Sequence, residues 1–178
     1  MTRLFTALAL PDAVAASLLT LQAGVLGARW QRREQLHLTL RFIGEADGRQ
    51  AAAIDDALAR IAAPPFETAL KGVGEFGGKR PRDLWAGVRA GEALAHLQRK
   101  IESALQRIGL EADRRKFTPH VTLARLKGTP SGAVMDFLAD HALYAGPPFT
   151  VEGFILYSSR LTANGSLYRA EKAYRLKG

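Results

Sequence analysis

Leu36-His37-Leu38-Thr39-Leu40-Arg41-Phe42-Ile43-Gly44 reads as a β-strand closed by a glycine, and His120-Val121-Thr122-Leu123-Ala124-Arg125-Leu126 repeats its opening pattern. Side chains on a strand alternate between faces with period two. His37 and Thr39 therefore share one face, with Leu38 and Leu40 on the other. His120 and Thr122 share a face in the same way, opposite Val121 and Leu123. The two histidines stand 83 residues apart, close to half of the 178-residue chain. An ancestral duplication into two pseudo-symmetric lobes accounts for that spacing. If the two strands lie side by side, four polar groups meet in one cleft.

The flanking sequence supplies the rest of the frame. Arg3 to Leu10 predicts a strand. Asp12 to Gly24 predicts a helix, with Pro11 at its start and a stripe of Val14, Leu18, Leu21 and Val25. Asp47 is placed to cap a second helix whose inner face is Ala53, Ile54, Ala57, Leu58 and Ile61, ended by Pro64 and Pro65. Phe66 to Val73 and Leu84 to Arg89 predict strands on either side of a Gly- and Pro-rich loop. Glu92 to Ile108 is the clearest helix, with Leu94, Leu97, Ile101, Leu105 and Ile108 inward and Gly109 at its end. A strand at His120 to Leu126 and a short helix at Ala133 to His141 follow. Phe149 to Ser158 and Leu167 to Leu176 form a final strand pair, turning through Asn164-Gly165. Adjacent hairpins among alternating strands and helices point to an α+β fold with mixed or antiparallel sheets, not a doubly wound parallel sheet. No linker or low-complexity run divides the chain.

Composition narrows the class. Hydrophobic residues make up 47% and charged residues 24%, an ordinary balance for a folded globular chain. Cysteine is absent, which excludes disulfides and thiolate metal sites and suits a reducing cytoplasm. The opening MTRLFTALAL is too short an apolar run for a signal peptide or a membrane span, so a cytoplasmic protein without membrane contact is expected. The net charge is +8. That balance fits a polyanion such as nucleic acid, and equally a simple solubility charge. Basic residues cluster in three loops: Arg29, Arg32 and Arg33; Lys79, Arg80 and Arg82; Arg114, Arg115 and Lys116. Such clusters can guide an RNA backbone, though many are only solvated.

One His-x-Thr strand is more often packing or surface than chemistry. Two copies, each opening a predicted strand, form a constellation. Phosphodiester cleavage needs a proton removed from the nucleophile and another given to the leaving oxygen. Two imidazoles suit this, because an ordinary histidine titrates near neutral pH. The threonine hydroxyls can hold non-bridging phosphate oxygens, where charge builds in the transition state. No metal or other cofactor is required. His96 falls on the outer side of its helix and His141 at a helix end, where a cation suits the dipole. No HExxH, Walker loop or carboxylate cluster appears.

These motifs resemble those of the two-histidine (2H) phosphoesterase superfamily, most closely the bacterial RNA 2′,3′-cyclic phosphodiesterases, also called 2′-5′ RNA ligases. The resemblance runs from Arg3-Leu4-Phe5-Thr6-Ala7 and Pro11 through the first motif, then Trp85-Ala86-Gly87-Val88. It is strongest at Phe117-Thr118-Pro119-His120-Val121-Thr122-Leu123-Ala124-Arg125 and closes with Ser158-Ser159, Gly165, Tyr168 and Tyr174. It implies a bilobal α+β fold over residues 1–178, helices outside and a central cleft. It implies metal-independent hydrolysis of a terminal 2′,3′-cyclic phosphate on RNA to a 2′-phosphomonoester, with reversible 2′-5′ ligation open to the same chemistry, by a monomer whose partner is the RNA. By that analogy His37 is the proton donor, His120 the proton acceptor, and Thr39 and Thr122 hold the phosphate. Phe5 and Arg125 match the positions that hold the terminal base. Arg125 lies five residues from His120, the wrong phase for a regular strand, so a bulge is needed to bring it to the same face. The segment Gln31-Arg32-Arg33-Glu34-Gln35 departs from the resemblance, which leaves the rim there open. Two other readings stand beside this one: an RNA-binding module without significant catalysis, and the same enzyme class acting on small cyclic phosphates or 2′-5′-linked ends.

Overall fold

The computed structural model describes residues 1–89 and 91–178. In chain order its elements are β1 (Thr2–Ala9), α1 (Asp12–Leu19), β2 (Ala28–Trp30), β3 (His37–Ala46), α2 (Gly48–Ala59), β4 (Phe66–Thr68), β5 (Leu70–Phe76) and β6 (Asp83–Val88). They continue as α3 (Glu92–Arg107), β7 (His120–Leu126), α4 (Ser131–Asp140), β8 (Phe149–Val151), β9 (Gly153–Thr162) and β10 (Gly165–Arg175). The main sheet has the order β10-β9-β1-β3-β7-β6-β5, with β2 paired to β7, and β4 and β8 form a separate small sheet. The strand pairings of the described residues are antiparallel. The fold is α+β, as the hairpin pattern predicts.

The main sheet is two halves joined at its middle. β3 and β7 meet at a single register pair, Leu38 opposite Val121. On either side the halves repeat each other. Ala7 pairs with Thr39 and Leu8 with Leu38, while Trp85 pairs with Thr122 and Ala86 with Val121. Both halves slip register at the same place, between Thr6 and Ala7 and between Leu84 and Trp85. The half-chain spacing of the motifs is thus a structural repeat.

One face of the sheet carries the core. Leu38, Leu40, Val121 and Leu123 are buried there, within one apolar cluster that spans both halves. Each such side chain contributes about 1.5–3 kcal/mol. α3 packs on β3 and α2, and α4 packs on β5. Asp47 caps α2 as predicted: its carboxylate accepts from the Gln50 amide at 2.8 Å, and the Gln50 side chain accepts from the Asp47 amide at 3.1 Å. Ile54 and Leu58 are fully buried, whereas Ala53 faces outward, so the inner stripe of α2 is narrower than the sequence suggests.

Four readings differ from expectation, one of them the strand over Phe149 to Ser158, which splits at Glu152 into β8 of the small sheet and β9 of the main sheet. α1 stops at Leu19, because the Thr20 hydroxyl donates to the Ser17 carbonyl at 2.6 Å and the chain then turns at Gly24 and Gly27, both at positive φ. Leu21 and Val25 are buried all the same, from coil. The strand expected over Phe66 to Val73 breaks at Ala69, where the chain leaves β8 and joins β6. β2 was not expected at all. At the last hairpin Ala163 and Asn164 form the turn, and Gly165, at φ 110°, takes the left-handed position beside Thr162. No helix of the described residues is long and apolar enough to cross a membrane.

Candidate active site

The junction of the halves decides where the polar side chains meet. Leu38 and Val121 point to the helices, so their neighbours point to the opposite face. In antiparallel pairing around Leu38 and Val121, His37 stands across from Thr122 and His120 across from Thr39. The two histidines are then diagonal neighbours, about 7–8 Å apart at the backbone. Both imidazoles therefore stand on one face of the sheet, on either side of the junction.

Both rings are fixed alike. His37 Nδ1 lies 2.7 Å from the Gln35 carbonyl, and His120 Nδ1 lies 2.6 Å from the Thr118 carbonyl. A carbonyl can only accept, so Nδ1 carries the proton in each ring and Nε2 is left for chemistry. His37 Nε2 accepts from the Thr39 hydroxyl at 3.0 Å.

The rings differ in enclosure. His37 sits among Phe5 and Tyr168, each with its ring centre 5.0 Å away, and Tyr157 at 6.3 Å. Its pKa is lowered to about 4, first by burial, with the Gln35 carbonyl opposing and the positive charges of His120 and Arg125 adding to the effect. His120 packs against Phe76 at 4.9 Å and Trp85 at 5.9 Å. Its pKa is also lowered, first by burial, with the Thr118 carbonyl and Asp83 opposing and Arg125 adding to the effect.

Arg125 reaches this face because β7 carries the bulge its phase requires. Leu84 pairs with Ala124 but Trp85 pairs with Thr122, so Leu123 is the extra residue. Leu123 and Ala124 are consecutively buried, and Arg125 returns to the side of His120. Its guanidinium is held by the Asp83 carboxylate at 2.5 Å. Asp83 is a positioning group that the sequence alone did not single out.

Phe5 requires a correction. Its ring is 1% exposed, covered by His37, Phe42, Tyr157 and Tyr168, and has no face to offer a base. It is the floor beneath His37. The exposed ring beside it is Phe42, 47% accessible and 5.7 Å from Phe5. β3 bulges at Leu40 as β7 does at Leu123, so Phe42 holds in the first half the place Arg125 holds in the second. Counting five residues from each histidine would have found Phe42. Tyr157 and Tyr168 were also missed as neighbours of His37, since they come from β9 and β10, more than a hundred residues away in sequence.

His96 is exposed on α3, and His141 follows α4 with its ring 4.6 Å from Phe137, so neither joins the cleft. Two hollows lie elsewhere, about 400 Å³ beside Arg41 and Asp113 and about 470 Å³ between α2 and α3, and no motif residue lines either.

The chain has counterparts among known proteins. The sequence pattern of the 2′-5′ RNA ligase superfamily matches residues 10–162. An RNA 2′,3′-cyclic phosphodiesterase of Thermus thermophilus is 34% identical over 188 aligned positions, covering 99% of this chain and 91% of that protein. A protein of the same name from Geobacillus stearothermophilus is 40% identical over 99 residues, 54% of this chain and 32% of its own length. The structure of E. coli LigT complexed with 3′-AMP superposes with a TM-score of 0.81 at 25% identity, covering 99% of each chain. The bilobal sheet, its paired motifs and these matches together place this chain in the 2′-5′ RNA ligase superfamily.

Proposed function

We propose that this protein, acting as one bilobal unit over residues 1–178, hydrolyses terminal 2′,3′-cyclic phosphates on RNA to 2′-phosphomonoesters without a metal. The observation that carries this reading is the pair of imidazoles across the Leu38–Val121 junction, each with Nδ1 bonded to a backbone carbonyl, which leaves Nε2 as the nitrogen without a backbone partner. The names of the relatives support the substrate class.

In this reading His120 Nε2 takes a proton from water as the water oxygen bonds to phosphorus. The bond from phosphorus to the 3′ oxygen breaks, and His37 Nε2–H gives that oxygen its proton. The products are a 2′-phosphate and a 3′-hydroxyl. The Thr39 and Thr122 hydroxyls donate to the non-bridging oxygens, where charge accumulates. Arg125, oriented by Asp83, contacts the nucleotide. Phe42 supplies the exposed aromatic surface for the terminal base in place of Phe5. His37 must be protonated to act as the acid, although burial favours its neutral form. An anionic phosphate beside it reverses that preference, so substrate binding loads the acid. A 5′-hydroxyl in place of water would give a 2′-5′ diester by the same steps.

The test is incubation with EDTA and an RNA ending in a 2′,3′-cyclic phosphate, at several pH values between about 5 and 8. The expected product carries a 2′-phosphate. Absence of that product at every pH ends the reading, and RNA binding that survives loss of both histidines would favour a binding module.

A further inference from the structure

The three basic clusters of the sequence are not equivalent in the structure. In the first, Arg32 pairs with Glu34 at 2.7 Å and Arg33 pairs with Asp12. In the third, Arg115 pairs with Asp113 at 2.9 Å. In the loop Gly77–Arg82, none of Lys79, Arg80 and Arg82 takes part in an ion pair among the described residues, and all three are exposed.

This loop is nevertheless tied down. The Arg80 amide donates to the Gly77 carbonyl at 3.1 Å and the Arg82 amide to the Phe76 carbonyl at 2.7 Å. The Arg82 carbonyl accepts from the Leu126 amide at 2.7 Å, which fastens the loop to the end of β7. The Glu75 carboxylate is turned to the Gly78 amide, 3.1 Å away, and Pro81 is buried. Gly77 sits at φ 115°, and a Cβ there would collide with the Arg80 carbonyl. The loop also starts and ends on the cleft. Phe76, just before it, packs on His120, and Asp83, just after it, holds Arg125.

We propose that the Gly77–Arg82 loop is a preformed docking surface for the sugar–phosphate backbone of the RNA strand whose end occupies the cleft, contacted by Lys79, Arg80 and Arg82. The proposal rests on the reading of the cleft as an RNA-end phosphodiesterase and adds a determinant of substrate length. Three cations with no carboxylate partner attract phosphates, and backbone bonds that already order the loop lower the cost of binding. A nucleoside 2′,3′-cyclic phosphate has no upstream phosphate to reach the loop.

The test compares the unmodified protein with Lys79→Ala/Arg80→Ala/Arg82→Ala on two substrates. One is an RNA of about ten nucleotides ending in a cyclic phosphate, and the other is a nucleoside 2′,3′-cyclic phosphate. The variant is expected to lose on the order of tenfold in kcat/KM on the RNA, mainly through KM. The slope of log affinity against log salt should flatten by about 2. Turnover of the mononucleotide stays within about twofold. The charge-preserving Lys79→Arg/Arg80→Lys/Arg82→Lys restores RNA turnover. Unchanged RNA turnover, or equal loss on both substrates, overturns the proposal. If the unmodified protein turns over neither substrate, the phosphodiesterase reading falls by itself. Fluorescence anisotropy with the same RNA ending in a 3′-hydroxyl then decides the loop: weaker binding by the triple variant upholds it, and equal binding overturns it.

Discussion

His37 and His120 have the same tautomer and the same kind of backbone partner, and His37 is the more enclosed of the two. Substituting either by Ala is expected to lower kcat by about 10²–10⁴, the range of general acid–base catalysis, with the fold intact by circular dichroism. Their roles can be separated chemically. A substrate with sulfur as the 3′ bridging atom leaves as a thiolate that needs no proton. It should restore turnover to His37→Ala and not to His120→Ala; the reverse result exchanges the roles. The pKa of His37 also has a stability consequence. Its folded value, about 4, lies below the ordinary 6.5, so between those values the unfolded chain binds the extra proton. Stability from this group is therefore full above pH 6.5 and declines as pH falls to about 4, by about 3 kcal/mol in all. Urea unfolding at stepped pH should show His37→Gln declining less over that window than the parent protein. In kcat/KM, the acid must be protonated and the base neutral in the free protein. With both imidazoles titrating below 6.5, the pH profile should peak below that value and fall toward pH 8; a peak above 7 contradicts the burial described here.

At the scale of elements, the bulges do what regular strands cannot. They bury two consecutive residues, Leu40-Arg41 in β3 and Leu123-Ala124 in β7, and so return Phe42 and Arg125 to the cleft. Arg41 is 8% exposed, and its guanidinium is bound by Glu102 of α3 and by the Glu111 carbonyl at 2.5 Å. Glu102 also accepts from the Asp113 amide at 3.0 Å, so the pair anchors the segment leading to His120. Glu102→Ala leaves a largely buried cation without its partner and should cost about 2–3 kcal/mol in urea unfolding, less than a fully buried pair because Glu102 retains some solvent contact. Much of this frame was legible beforehand. The α3 stripe, the Asp47 cap and the two His-x-Thr strands each carry a local periodicity or a named partner three residues away. The bulges were legible only as a phase conflict at Arg125. β2 has three residues and no alternation to read, and Ala69 interrupts a run that is apolar on both sides of the break. Phe5 was misread because its neighbours Tyr157 and Tyr168 come from strands remote in sequence, and local pattern cannot tell an exposed ring from a covered one.

For the whole molecule, the narrowest part is also where the chemistry lies. The halves of the sheet share one register pair, Leu38 with Val121, both fully buried beneath the helices. The flanking residues of that pair are the four motif side chains, so any loosening of the junction separates His37 from His120 directly. Truncation in a packed core leaves a cavity, and Leu38→Ala should cost about 2–5 kcal/mol, with a smaller loss for Val121→Ala. Distant sites add within about 0.3–0.5 kcal/mol, but residues in contact couple by about 0.5–3 kcal/mol. A double-mutant cycle on these two positions is therefore expected to show coupling above about 0.5 kcal/mol in unfolding free energy. Both single variants should lose more in kcat than they gain in KM, because each half still carries its own nucleotide contacts while the two imidazoles no longer bracket one phosphate. Additive stabilities together with unchanged kcat would mean that the helices, not the strand junction, hold the two histidines in register.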